Sequence, residues 1–335
     1  MKRVLAALLL LVTLAWAGDL WFTPAVPGVS LAWAVRQQGL MLSGLMAVAL
    51  MSLSMVLATR PAWLERPLGG LDRIYRLHKW SRILAVALAA THWLIELSDD
   101  WIKAWVGREG RVPKASFDGF LESLRKLAED MGEWGLYLLL AMLLLTLYKR
   151  LPYRPWRHLH RAMPVIYLML ALHAALLAPP AYWQRPVGAL LGLLLAAGTV
   201  GAVLSLAGRI GARRRVAGHI EAVAAGASGV TSVGCRFGAG WPGHRAGQFA
   251  FITFDAAEGQ HPFTIASADQ GDGRLTFQIK ALGDYTRGLV PQLRAGQAVQ
   301  IEGPYGRFDL QRRDTGARQI WVAGGIGVTP FLAWL

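Results

Sequence analysis

Cysteine is almost absent from this chain. Cys235 is the single thiol in 335 residues, which excludes an internal disulfide, a CxxC redox pair and a cysteine-ligated iron–sulfur cluster. A lone cysteine of this kind reads as a buried structural residue. Acidic residues are scarce too, 21 against 35 lysines and arginines, giving a formal net charge of +14. That balance would suit a nucleic-acid binder if the basic residues formed one patch. They fall instead in short clusters between apolar runs, where they orient a membrane protein, so no nucleic-acid partner is expected. Charged residues make up only 17% of the chain and hydrophobic ones 54%, too apolar for an ordinary soluble protein. The apolar residues crowd the first ~207 positions; Gly-rich, charge-rich sequence follows, and the length suggests two units.

Six apolar runs cover about 1–22, 39–58, 78–97, 134–148, 159–177 and 187–207. Several fall near or below the ~20 residues that cross a bilayer, so tilt and flanking aromatics must fix their ends. Trp63, Trp80, Trp101, Trp134, Trp156 and Trp183 stand where such belts are expected. The first run, with Lys2, Arg3 and an Ala15-Trp16-Ala17 small-residue site, also describes a signal peptide. Arg60, Arg66, Arg73, Arg76, Lys79 and Arg82 surround the connection between runs two and three. Lys149, Arg150, Arg154, Arg157 and Arg161 fill the connection from four to five, and Arg209 and Arg213 to Arg215 follow run six. The positive-inside rule then predicts six spans with both termini in the cytoplasm, as in an integral protein of a bacterial inner membrane. The mixed-charge segment 98–133 falls outside, its Phe120–Met131 portion reading as a short amphipathic surface helix.

The third and fifth runs carry histidines. His78 and His92 are fourteen residues apart, which on one helix places them about 21 Å apart and within about 40° of the same face. His160 and His173 are thirteen apart. Neutral imidazoles are good axial ligands for iron, and ionisable residues inside a span are functional candidates. Read together, the two helices clamp two stacked haems, His78 with His160 at the inner level and His92 with His173 at the outer. One tension stands in this reading. Thirteen residues rotate an ideal helix about 140° away, whereas His158 would return to within about 60° of His173; Pro164 between them can rewind the helix.

From about Val216 short alternating segments (FAFITF, RLTFQIKAL, AVQIEG) separated by Gly, Pro and Asp predict a small antiparallel barrel. The ending QIWVAGGIGVTPFLAWL reads as a strand, a glycine turn and the opening of a helix. That is the first βα unit of a nucleotide-binding domain, which needs further βα repeats to bury its strand. The domain pattern is therefore 1–210 membrane helices, 216–312 barrel and 318–335 the start of an incomplete nucleotide domain.

Four stretches of this region, HPFTIAS (His261 to Ser267), KALGDYT (Lys280 to Thr286), GPYGRF (Gly303 to Phe308) and AGGIGVTP (Ala323 to Pro330), occur in that order. With the paired histidines upstream they strongly resemble the transmembrane NADPH oxidases and ferric reductases. The resemblance implies a six-helix haem-binding membrane domain, an FAD-binding β-barrel of the ferredoxin-reductase type, and two b-type haems, FAD and NADPH or NADH as cofactors. It prefers His160 over His158 as the inner ligand. It implies Thr264 near the reactive edge of the flavin, Pro262 and Phe263 shaping its bed behind His261, and Lys280 lending positive charge. Gly283 and Thr286 would hold the pyrophosphate, in keeping with a glycine turn that opens a helix N-terminus towards an anion. Gly324, Gly325, Gly327, Thr329 and Pro330 resemble the nucleotide loop, although they depart from GxGxxG spacing. The family's later nucleotide contacts are missing, so turnover of NADPH by this chain alone is not expected.

The activity so implied is electron transfer from cytosolic NAD(P)H through FAD and two haems to an extracytoplasmic acceptor. Dioxygen giving superoxide leads, ahead of a ferric chelate or a periplasmic partner fed by the cytochrome. Beyond the lipid bilayer, the partners left open are that periplasmic protein and a second copy of the chain.

Overall fold

The computed structural model describes residues 2–24, 26–113, 117–148, 153–226, 229–308, 316 and 318–335. The chain divides into two units, Met1–Pro61 with Arg73–Ile210, and Ala62–Asp72 with Gly211–Leu335. Lys149 and Arg150 of the basic connection, and 309–312 at the end of the expected barrel, lie outside the described residues.

The first unit is helical: α1 (Lys2–Phe22), α2 (Leu31–Ala58), α4 (Leu71–Val106), α5 (Phe120–Leu147), α6 (Tyr153–His160), α7 (Met163–Leu177) and α8 (Pro186–Leu206). Among the described residues, five stretches are long and apolar enough to cross a membrane: α1, α2, α5, Pro155–Leu177 and α8. The sixth expected span, 78–97, lies inside α4, which is not among them. Its 36 residues stretch about 54 Å, well over the ~30 Å hydrocarbon core. Arg73, Arg76, Lys79 and Arg82 crowd one end of α4 and Glu96, Asp99, Asp100 and Lys103 the other.

Two expectations need correction here. The surface helix over Phe120–Met131 is not separate, because α5 runs unbroken from Phe120 to Leu147. The stretch LESLRKLAED is made of good helix formers with no proline, so nothing stops the turn-by-turn propagation. Conversely, the run 159–177 is not one regular helix. It breaks at Arg161 and Ala162, and Pro164 takes a place in the first turn of α7, where a missing N–H costs no hydrogen bond.

Close approach of α2, α7 and α8 rests on small residues, as between helices in lipid generally. A β-carbon on Gly201 would lie 2.8 Å from the Met55 backbone, and one on Gly198 only 2.0 Å from Tyr167 Oη. That phenol shares a 2.9 Å hydrogen bond with Ser52 and donates to the Leu195 carbonyl at 3.3 Å. Ser54 and Ser81 hydroxyls, 2.7 Å apart, tie α2 to α4.

The second unit is a six-stranded antiparallel sheet in the order β4-β3-β6-β1-β2-β5, formed by Arg215–Ala225, Val230–Phe237, Phe249–Thr253, His261–Thr264, Arg274–Lys280 and Ala298–Tyr305, numbered along the chain. Inward residues alternate along β2 and β5, so Val233 pairs with Phe277 and Cys235 with Leu275. These, with Ile220, Ile252, Ile265 and Ile301, form the core, each large apolar side chain contributing ~1.5–3 kcal/mol on burial. One isolated bridge, Ile265 to Phe277, links the two ends of the sheet. Helix α3 (Ala62–Leu68) belongs to this unit. Glu65 Oε1 accepts the Gly306 N–H at 3.0 Å and its Oε2 accepts Arg214 Nη1 at 3.2 Å.

The expected strand near 319–324 is absent from the described residues. The backbone there joins no ladder, and Ile320 and Val322 are 84% and 85% exposed. A parallel strand forms only beside its neighbours, and none lies next to this stretch. A 3₁₀ turn, Gly325–Val328, and a short helix, Thr329–Leu332, follow.

Candidate functional site

The outer histidine pair is a tightly built arrangement. His92 on α4 and His173 on α7 face each other edge to face, ring centroids 6.4 Å apart and planes at 86°. Each ring is aimed by its Nδ1–H. His92 Nδ1 donates to the Leu40 carbonyl at 3.1 Å, with Ser43 Oγ at 3.2 Å, and His173 Nδ1 donates to the Ala128 carbonyl at 2.8 Å. A ring whose Nδ1–H is held by a carbonyl keeps its Nε2 lone pair for a metal, the usual outer support of a ligating histidine. Room comes from two glycines. A β-carbon on Gly44 would stand 3.2 Å from His92 Cε1, and one on Gly132 only 2.2 Å from His173 Nδ1. With ~2 Å from each nitrogen to a metal and a ring radius of ~1 Å, two imidazoles sharing one ion need about the 6.4 Å found. The pair is thus spaced as two ligands of one metal ion would be.

The inner residues are arranged differently. His78 Nδ1 donates to the Ser54 carbonyl at 3.0 Å, repeating the outer pattern. His160 stacks on Trp156 at 4.9 Å and 13°, and its Nε2 accepts from Arg82 Nη1 at 3.4 Å. His158, which ideal helix geometry favoured, lies exposed on α6. The break at Arg161 and Ala162 removes the uninterrupted rotation on which that preference depended.

In the second unit a cleft of about 300 Å³ is lined by Pro262, Phe263 and Thr264 of β4, Gln278, Ile279 and Lys280 of β5, and Ile326, Gly327, Thr329 and Pro330. It gathers seven of the residues expected from the flavin and nucleotide segments onto one surface. His261, Gly283, Thr286, Gly324 and Gly325 do not line it. His261 instead stacks on Tyr285, centroids 3.5 Å apart at 11°. Thr286 Oγ1 accepts the Leu282 and Gly283 N–H groups, both at 3.1 Å, so Gly283 and Thr286, expected to hold an anion, bond to each other instead. Burial, with the Glu258 and Asp255 carboxylates, pushes the Tyr285 phenol up to about 12. Sequence reasoning missed Gln278, Ile279, Ile326 and Tyr285, and it missed Gly44 and Gly132. The signal for the glycines was present: each interrupts an apolar helix facing a histidine.

The ferric reductase like transmembrane component family matches residues 43–171 and an FAD-binding domain family matches 239–309. In these two matched domains the chain resembles the ferric reductase and NADPH oxidase-like proteins. Its apolar helices and the membrane-domain match make it an integral membrane protein, followed by a sheet that matches an FAD-binding domain. The first match contains His78, His92 and His160 and ends two residues before His173; the second contains the β4, β5 and Gly303–Phe308 segments. Curated relatives include methane monooxygenase component C of Methylosinus trichosporium, 34% identical over 92 residues, 27% of this chain and 26% of that one. They also include Ferric reduction oxidase 5 of Arabidopsis thaliana, 39% identical over 79 residues, 22% of this chain and 11% of the relative. The chain spans about a quarter of the length of the first relatives it matches.

Proposed function

We propose that the chain is an oxidoreductase carrying electrons across a membrane through six spans, α4 being the sixth, with both termini on the cytosolic side. The route runs from cytosolic NAD(P)H to FAD on the second unit, to a b-type haem held by His78 and His160, to a second held by His92 and His173, and out to dioxygen as superoxide. The observation that carries this reading is the outer histidine pair, facing at 6.4 Å with both Nδ1–H groups on carbonyls in a chain whose other unit is of the FAD-binding type.

Bound flavin supplies the conversion of a two-electron hydride donor into single-electron steps. The protein's own residues do the rest. Phe263 and Pro262 form an apolar bed, Thr264 offers a hydroxyl at its edge, and Lys280 brings a positive charge to the same cleft. The Ala128 and Leu40 carbonyls lock the outer imidazoles in one tautomer. With His92 and His173 both serving as ligands, dioxygen as the acceptor would have to take its electron without binding the metal. A ferric chelate is the second reading, favoured by the relatives whose names are ferric reduction oxidases.

The test is the full chain in sealed vesicles with its flavin photoreduced. The reading predicts haem reduction followed by superoxide on the opposite face, lost in His92→Leu. Reduced ferrozine-type chelate without superoxide would select the second reading; reduced flavin with no haem response would overturn both.

A further inference from the structure

Helices α2 and α4 meet in one register at both histidine levels. The Leu40 and Ser54 carbonyls of α2 are fourteen residues apart, as are His92 and His78 on α4. Each carbonyl accepts one Nδ1–H, at 3.1 and 3.0 Å respectively. Fourteen residues climb about 21 Å on either helix, so one sliding position serves both contacts. A carbonyl inside a helix is already bonded to the N–H four residues on, and it offers a side chain only its second lone pair. Where that lone pair points depends on how the two helices lie, so something has to hold them. At the inner level two hydroxyls stand where they can. Ser54 Oγ and Ser81 Oγ are 2.7 Å apart, and both serines are buried. Ser54 Oγ also reaches the Leu50 carbonyl at 2.9 Å, and Ser81 Oγ the His78 carbonyl at 3.1 Å. Two hydroxyl protons serve these three contacts, so the chain of bonds runs either to Leu50 or to His78. In both directions the Ser54–Ser81 bond is made. The residue that lends its carbonyl to His78 thus lends its hydroxyl to the residue three beyond His78, and α2 grips α4 at two adjacent points. At the outer level Ser43 Oγ lies instead 3.2 Å from the His92 ring itself, so the Ser54–Ser81 pair concerns the inner level.

We propose that Ser54 and Ser81 are positioning residues for His78: their hydroxyl pair fixes the rotation of α4 against α2, which keeps the Ser54 carbonyl on Nδ1 and the Nε2 lone pair in one direction. This rests on the reading of His78 as a haem ligand. Both serines act through the imidazole. A bond between two buried hydroxyls has no water to replace it when one partner is lost, so the pair works as a unit. Removing either oxygen frees the ring to turn, and a turned ring changes the spectrum of the haem and loosens its hold.

The test uses the full chain in detergent with His92→Leu as background, which leaves the inner haem alone to be observed. Ser54→Ala and Ser81→Ala each keep the backbone carbonyls and remove one buried oxygen. Each should shift the largest EPR g-value of the ferric haem and speed haem loss to a scavenging protein about fivefold, the scale of one net hydrogen bond. The double variant should lose haem no faster than either single one, because the bond they share is already broken. Ser52→Ala is the control. It removes another buried serine of α2, whose hydroxyl pairs with Tyr167, and should leave the g-value and the loss rate as in the background. An unchanged g-value and loss rate in both Ser54→Ala and Ser81→Ala would overturn the proposal. Effects that add in the double variant, or equal effects in Ser52→Ala, would also overturn it, because either marks general packing. A native chain that binds FAD yet no haem would instead refute the proposed function.

Discussion

Gly132 and His173 occupy one space between α5 and α7: a β-carbon on the glycine would lie 2.2 Å from the histidine's Nδ1 and 2.3 Å from its Cε1. The imidazole sits against bare backbone, one turn from the Ala128 carbonyl that accepts a hydrogen bond from its Nδ1–H. A methyl group there must displace the ring or part the helices, at ~1–3 kcal/mol for the added bulk. Gly132→Ala should therefore remove the outer haem and keep the inner one. Gly192→Ala is the control, since its β-carbon would meet only Trp183 Cζ3 at 3.6 Å. Haem content by pyridine haemochrome, compared between the two variants, checks this. Equal loss or equal retention would contradict it.

Replacing a ligand should separate the two levels. His92→Leu deletes one Nε2 and leaves His78, His160 and the whole β-sheet unit untouched. One haem of two should disappear, transmembrane electron flow should fall by orders of magnitude, and FAD content should stay at the native value. Flavin fluorescence and reduced-minus-oxidised spectra of the same sample decide it; normal output from this variant would sink the relay.

Thr264→Ala is the converse. Thr264 lines the cleft between β4 and β5 and belongs to the other unit. Its loss should slow flavin reduction about tenfold, the scale of one hydrogen bond of 1–1.5 kcal/mol, with the haem spectrum unchanged. Haem loss here would contradict the separation of the two cofactor sites.

Cys235 gives a pH prediction. Burial, with Glu221 nearby, pushes its thiol up to about 12, and the side chain is free and buried. The folded state favours the protonated form, so this stabilisation is fully present below the ordinary thiol pKa. It is lost as pH rises through that value towards about 12. Alkylating reagents at neutral pH should leave the native chain unmodified and label it fully in denaturant, as read by mass spectrometry. Rapid labelling of native protein would place Cys235 outside the β2–β5 core.

Much of this architecture can be read from residue order. The fourteen-residue spacing of His78 and His92 puts both on one long helix, and the alternation in RLTFQIK yields a strand with Leu275, Phe277 and Ile279 inward. The carbonyls of Leu40, Ser54 and Ala128 could not be foreseen, because backbone acceptors leave no trace in side-chain identity; only the packing of three helices creates them. The break after His160 was half legible. Pro164 announced a disturbance, but proline is accommodated in a first helical turn, so the break falls before it, at Arg161 and Ala162. The expected strand around Val322 failed for a different reason. Its pattern specifies burial between partners, and a β-strand is a property of the sheet rather than of one segment. Helix α3 shows the limit most plainly: nothing in AWLERPL indicates that Glu65 reaches Gly306, 241 residues away in sequence.

The central claim is that these helices hold two irons, one at each histidine level, in series with a flavin. Haem and FAD stoichiometry on the detergent-purified chain, with a dithionite-reduced spectrum, tests it most directly. The account predicts two low-spin b-type haems and one FAD per chain, with His92→Leu retaining one haem. A native chain that folds and binds FAD yet contains no haem would contradict it.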